Sequence, residues 1–281
     1  MTTKLWVLQR PGLLEVFALS NIAFLGVDIY VAHSVNAFRH DMEWAPIVFS
    51  VVATVVLAAG FPRSERQLRA GWRRLGGLAV GWCAVVLGIA GLLFHLRSQF
   101  FELWTIKSLV YTAPFVAPLA YAGVGLLLIM NRMVDPRSPE WGRWVVFLAA
   151  GGVLGNFILT LCDHAQNGFF HQIEWLPVWV SALGAAALFS VVVLNIDRPM
   201  LFYCAMLLVL QFATGVLGFG LHVRANLHGE SDRILQSFLY GAPAFAPLLL
   251  SNLSLLAALG LWGLWSTRER TSPRASISSP A

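Results

Sequence analysis

Charge is what this chain has least of. Only 12% of its 281 residues are Asp, Glu, Lys or Arg, against 58% apolar, and the mean hydropathy is +0.70. A soluble domain carries about twice that share of charge, and so little cannot cover the surface of a water-soluble globule of this length. Disorder, a coiled coil and an ordinary soluble enzyme are excluded. Cysteine is scarce too. Cys83, Cys162 and Cys204 all sit in apolar runs with no CxxC or CxxCH spacing. A disulfide framework, a thiolate zinc site and covalently attached haem are therefore disfavoured. No small-residue cleavage site follows the basic start MTTKLWVLQRPG, so the first apolar run reads as a retained helix rather than a signal peptide. The net charge of +5 is not gathered on one face, and no nucleic-acid partner is expected.

What is present is a series of apolar runs bounded by charges, near 13–32, 43–61, 76–95, 108–130, 144–163, 174–195, 200–222 and 236–265. Each is too long for a strand, and lipid admits only helices or closed barrels. The expected fold is an all-α integral membrane protein of eight transmembrane helices, with Pro46, Pro177 and Pro199 near helix starts, where a missing N–H costs nothing. Fourteen of the nineteen Lys and Arg residues fall in the loops on the side of the termini, among them Lys4, the cluster Arg63–Arg74 and Arg274, and five fall on the other. The positive-inside rule then places both termini in the cytoplasm, in a bacterial inner membrane.

The chain also repeats itself. HSVNAFRHDMEWAP (33–46) and HAQNGFFHQIEWLP (164–177) share His, Asn, Phe, His, Glu, Trp and Pro at an offset of 131. GIAGLLFHLR (88–97) matches GVLGFGLHVR (215–224) at 127, and SLVYTAPFVAPL (108–119) matches SFLYGAPAFAPL (237–248) at 129. Two tandem four-helix halves are expected, residues 1–135 and 136–266, followed by a disordered cytoplasmic tail at 267–281. An even number of helices per half gives both the same orientation, with the symmetry axis along the membrane normal.

All seven histidines fall on the outer side of this topology, with eight of the fourteen acids, Glu230 and Asp232 included. His33, His95, His164 and His222 each end an odd-numbered helix. In a four-helix bundle His33 meets His95 and His164 meets His222, and two facing imidazoles are what a b-type haem requires. Arg97 and Arg224, two residues past His95 and His222, suit haem propionates. If the helices run past the interface, His33, Asn36 and His40 form one stripe, as do His164, Asn167 and His171. With Glu43, Glu174 and Glu102, His40 and His171 form the alternative, a transition-metal set. Asn36 and Asn167 are placed to orient the imidazoles. The paired prolines, Pro114 with Pro118 and Pro243 with Pro247, free backbone carbonyls and unwind the chain. With Tyr111 and Tyr240 they offer a place for a quinone or a lipid headgroup. Gly88, Gly91, Gly215 and Gly218 read as close-packing positions. Asp28 is an unrepeated polar residue inside the first span.

In plan, two four-helix halves with outer-side histidines are similar to haem A synthases. The resemblance is of plan alone and no residue is carried over from it. The leading expectation is a membrane redox protein with one haem b or transition-metal site per half, exchanging electrons with quinol or a periplasmic protein. The alternatives are a transporter using Asp28 and the histidines as a proton or ion path, and a non-catalytic anchor or assembly subunit. No catalytic residue is named by these motifs.

Overall fold

The computed structural model describes residues 6–194, 197–229 and 233–271. Lys4, Glu230, Asp232 and the tail from 272 onward, with Arg274, lie outside the described residues. No strand occurs among those described, and eight principal helices carry the chain: α1 (Arg10–Ser34), α2 (Ala45–Ala59), α3 (Gly71–Arg97), α4 (Leu119–Met133), α5 (Pro139–Gln166), α6 (Trp175–Val193), α7 (Arg198–Leu227) and α8 (Leu248–Thr271). Seven of them, with the short turns that lead into α2 and α6, are long and apolar enough to cross a membrane. Prolines open α1, α2, α5 and α7, and the Asp197 carboxylate caps α7 by accepting from Met200 N at 3.0 Å.

The exception is α4, with 15 residues. At 1.5 Å per residue it spans about 22 Å, short of a hydrocarbon core of about 30 Å. The run expected at 108–130 is broken. Its first part is the separate helix Ile106–Tyr111, and a turn containing Pro114 and Pro118 precedes α4. The run expected at 236–265 divides in the same way into Ile234–Tyr240 and α8. Two prolines four apart remove the amides that would continue a helix. At its other end α8 continues to Thr271, past the boundary expected at 266.

Packing closes the helices into two rings. In one, α1 packs on α2, α2 on α3, α3 on α4 and α4 back on α1; in the other, α5 to α8 do the same. The rings meet where α4 packs on α5 and α1 touches α8. The larger apolar core lies in the second ring, around Trp141, Val145, Ala149 and Leu188, and draws in Leu14 and Leu127 from the first. Close approach uses the glycines. A Cβ at Gly91 would stand 2.6 Å from Pro118 Cβ, and one at Gly218 would stand 2.7 Å from Pro247 Cβ. The proline turns therefore seat against α3 and α7 only because those positions have no side chain.

Far from the histidines, one buried polar network ties α1, α4 and α5 together. Arg132 Nη1 and Nη2 donate to the two Glu15 carboxylate oxygens, each at 2.8 Å. Asn131 Nδ2 donates to Glu15 Oε1 and to Pro11 O, and Trp141 Nε1 donates to Asn131 Oδ1 at 3.1 Å. Arg132, read from the sequence as a topology-setting charge, is thus a buried ion-pair partner at 3% exposure.

Candidate site at the paired histidines

His33 and His164 are placed by the way their helices stop. After Ser34 the chain turns sharply, and Asn36 N and Phe38 N both donate to His33 O. Ala37 (φ 54°) and Phe38 (φ 49°) are left-handed, a costly conformation for residues with a side chain. The Phe38 ring offsets this by stacking on Trp44, centroids 4.2 Å apart. The second half repeats the turn with Gly168 (φ 73°) and Phe169 (φ 50°), and Phe169 stacks on Trp175 at 4.0 Å. Phe, Trp and His recur in the sequence because they build this turn.

The turn overturns the expected stripes. The helices end before Asn36 and Asn167, so His33–Asn36–His40 and His164–Asn167–His171 do not share a helix face. His40 and His171 are exposed and extended, each preceding a short 3-10 turn, Asp41–Trp44 and Gln172–Glu174, into which its carbonyl accepts from Glu43 N or Glu174 N. The Asn167 side chain bonds the Asp163 carbonyl rather than an imidazole. Glu102 is exposed on the short helix Phe100–Leu103. Among the described residues, no group of three or more His, Cys, Asp and Glu side chains is spaced to hold a metal ion. The set His40, His171, Glu43, Glu174 and Glu102 is not gathered.

The pairs fare differently. His33 and His95 face one another with ring centroids 6.4 Å apart and planes at 53°, although α1 and α3 do not pack along their length. His222 lies within electrostatic range of His164 and of Asp163. All four rings are half-buried. His95 Nδ1 lies 2.9 Å from Pro114 O, His222 Nδ1 2.9 Å from Pro243 O, and His33 Nδ1 3.3 Å from Glu43 O. A carbonyl oxygen only accepts, so these three imidazoles carry a proton on Nδ1, and in the neutral ring the lone pair is then on Nε2. His164 Nδ1 lies 3.5 Å from the Glu174 carboxylate. That Glu174 oxygen is buried, with the His164 imidazole as its ion-pair neighbour, and one oxygen of Glu43 is buried with no hydrogen-bond partner.

The carbonyls freed by proline, expected from the sequence as lining for a ligand cavity, thus serve as histidine acceptors. Each proline turn is fixed differently. In the first half, Ser98 Oγ and Thr112 Oγ1 bond one another at 2.7 Å, Thr112 donates to His95 O, and Ala113 N donates to Ser98 Oγ. In the second, Asn226 alone clamps Ala242, donating to its carbonyl and accepting from its amide, both at 2.8 Å. Ser98, Thr112 and Asn226 escaped the sequence reading because they are not repeated. Arg97 and Arg224 are exposed at the ends of α3 and α7.

Compared with protein-family models, with curated proteins and with solved structures, the chain matches none.

Proposed function

We propose that the chain is a b-type haem protein of a bacterial inner membrane, in which His33 and His95 would hold one haem and His164 and His222 the other, passing electrons between quinol and an acceptor on the periplasmic side. The observation that carries this reading is the state of the imidazoles. Nδ1 of three of the four is bonded to a backbone carbonyl, that of the fourth lies beside a carboxylate, and Nε2 is left for ligation. Nδ1–H held by a carbonyl or carboxylate is the usual arrangement behind a metal-bound histidine.

The spacing of the first pair supports it. A direct N–H···N bond of about 2.9 Å, with about 1.2 Å from each nitrogen to its ring centre, would bring the two centres to about 5.3 Å. The separation of 6.4 Å fits an intervening atom. A bare metal ion needs three or four protein ligands, and no such cluster is present among the described residues. A porphyrin brings four nitrogens of its own, so two histidines suffice, and this favours haem.

Haem held by these residues would supply one-electron transfer. The protein's own part is to fix the tautomer, aim Nε2 and keep the ring planes set. The backbone carbonyls of Pro114, Pro243 and Glu43 do this, with the Glu174 carboxylate. Arg97 and Arg224 offer charge to the propionates. We read the two rings as tandem, parallel four-helix repeats, and the proline turns with α4 and α8 as completing the fourth and eighth spans. Both termini are then cytoplasmic and the histidines periplasmic. A reduced-minus-oxidised absorption spectrum of the purified protein tests the proposal. A Soret shift with a sharp α band, both lost in the His33→Ala, His164→Ala double variant, is expected. A colourless, folded protein overturns it and leaves transport or anchoring as the function.

A further inference from the structure

At the end of the molecule far from the histidines, positive charge is unevenly neutralised. Arg132 is held by Glu15, and Arg69 and Arg137 share Glu65 at 3.6 and 3.5 Å. Arg10 lies over the Trp141 ring and donates to Gly263 O. In the stretch FPRSERQLRAGWRR (61–74), which joins α2 to α3, Glu65 is the only acid beside five arginines. Among the described residues no ion pair reaches Arg63, Arg66, Arg73 or Arg74. The corresponding stretch between α6 and α7, 194–198, has a single basic residue, Arg198, next to Asp197.

The stretch is fixed by its own contacts. Ser64 Oγ accepts from Gln67 N at 3.3 Å, and Arg63 N donates to Gln67 Oε1 at 2.9 Å. Leu68 is fully buried, and Arg69 Nη2 donates to Val134 O at 2.6 Å. Arg63 and Arg66 are thereby held exposed, before and on the short helix Glu65–Arg69. Arg73 and Arg74 lie in the first turn of α3, which has no acid there, whereas α5 has Glu140 and α7 is capped by Asp197. Cations in that position oppose the helix dipole. The Arg73 guanidinium lies 4.9 Å over the Trp72 ring, and its Nε is buried with no hydrogen-bond partner. Trp72 is seated over Gly60 at the end of α2, where a Cβ would stand 3.1 Å from the indole. Trp72 and Leu75 nevertheless keep 55% and 66% of their surface exposed. Exposed indole beside guanidinium is the composition of a membrane–water interface.

We propose that this arginine cluster binds the headgroup of an anionic phospholipid in the leaflet on the side of the termini, with its phosphodiester beside Arg73 and Arg74 and its acyl chains against Trp72 and Leu75. Arg63 and Arg66 add charge to the same site. The occupant must be negative, because the four cations have no acid partner. It must present acceptor oxygens, because a guanidinium only donates and its fork matches a phosphate. It must also be apolar in part, to cover Trp72 and Leu75. An anionic phospholipid meets all three conditions. Free phosphate lacks the chains, and phosphatidylcholine has no net charge. The inference is independent of the haem reading, since the cluster and His95 lie at opposite ends of α3.

The test is native mass spectrometry of the full chain in detergent, titrated with phosphatidylglycerol and with phosphatidylcholine of the same acyl chains. Saturable binding of phosphatidylglycerol is expected, about tenfold or more tighter than that of phosphatidylcholine. Replacing both Arg73→Gln and Arg74→Gln should weaken phosphatidylglycerol binding about thirtyfold and leave phosphatidylcholine unaffected. Arg73→Lys with Arg74→Lys should lose less. Arg143→Gln, whose charge lies beside Glu140 on α5, should change neither affinity. Equal affinity of the unmodified protein for the two lipids overturns the site, a comparison that needs no variant to fold. So does unchanged phosphatidylglycerol affinity in the double Gln variant. Inorganic phosphate should not displace the bound lipid. Displacement would mark a site for a soluble phosphate and would overturn the lipid assignment.

Discussion

His33 and His164 end their helices in the same turn, with the same Phe-on-Trp stack beneath, yet one imidazole leans on a backbone carbonyl and the other on a carboxylate. The second pair also has Asp163 within electrostatic range of His222. The proline turns differ likewise, with Ser98 and Thr112 in one and Asn226 in the other. The two turns therefore reach the same outcome, an imidazole with Nδ1 beside an acceptor, through different atoms. This also leaves room for the two sites to be tuned apart by charge.

The halves differ most at the end far from the histidines. The first is tied by the buried Glu15–Arg132 pair, whereas the second is held by the apolar core around Trp141 and Val145. Removing one partner of a buried pair strands the other charge, at about 3–5 kcal/mol. Glu15→Ala should therefore lower the thermal midpoint more than any substitution at the histidine end, and Glu15→Gln, which keeps hydrogen bonds to Asn131 and Arg132, should lower it less. Equal midpoints for unmodified protein and Glu15→Ala would show that the halves do not depend on this network.

A smaller and more local effect is expected at the second proline turn. Asn226→Ala leaves the amide and carbonyl of Ala242 without their partners, at about 1 kcal/mol for each lost bond, or about 2 kcal/mol in all. Cofactor should then be lost from the His164–His222 site while the His33–His95 site stays loaded. Loss from both at once would mean that the two turns are not independent.

How much of this could be read from the sequence depends on whether a residue was copied. His33, His95, His164 and His222 stood out because they recur, and the structure brings the His33 and His95 rings together, tilted, with centroids 6.4 Å apart. Their acceptors did not stand out, because a carbonyl has no letter of its own. That Pro114 O meets His95 depends on how the chain folds back after Tyr111. The stripes through His40 and His171 failed because the left-handed residues that end the helices include Ala37 and Phe38, which signal no turn; only Gly168 does. Glu15 and Arg132 stand 117 residues apart with no counterpart in the other half, so neither periodicity nor repetition could couple them.

The finest distinction between the sites is electrostatic. Each pair has a glutamate within electrostatic range, Glu43 at the first and Glu174 at the second, and the second has Asp163 as well; the additional negative charge favours the oxidised state, so the two centres should titrate at different midpoint potentials, the second lower. Glu174→Gln should raise the lower midpoint by tens of millivolts, on the order of 1 kcal/mol or less for a partly exposed charge, and leave the upper one in place. Two identical midpoints, unmoved by Glu174→Gln, would remove the tuning argument without touching ligation.

Cofactor stoichiometry in single-site variants tests the central claim most directly. Haem per chain, measured by pyridine haemochrome, should be two in the unmodified protein and one in His95→Ala. It should again be one in His222→Ala, and near zero when both are replaced, with helical content unchanged throughout. Haem content indifferent to all of these substitutions, or absent from the unmodified protein, would contradict the assignment of the paired imidazoles as ligands.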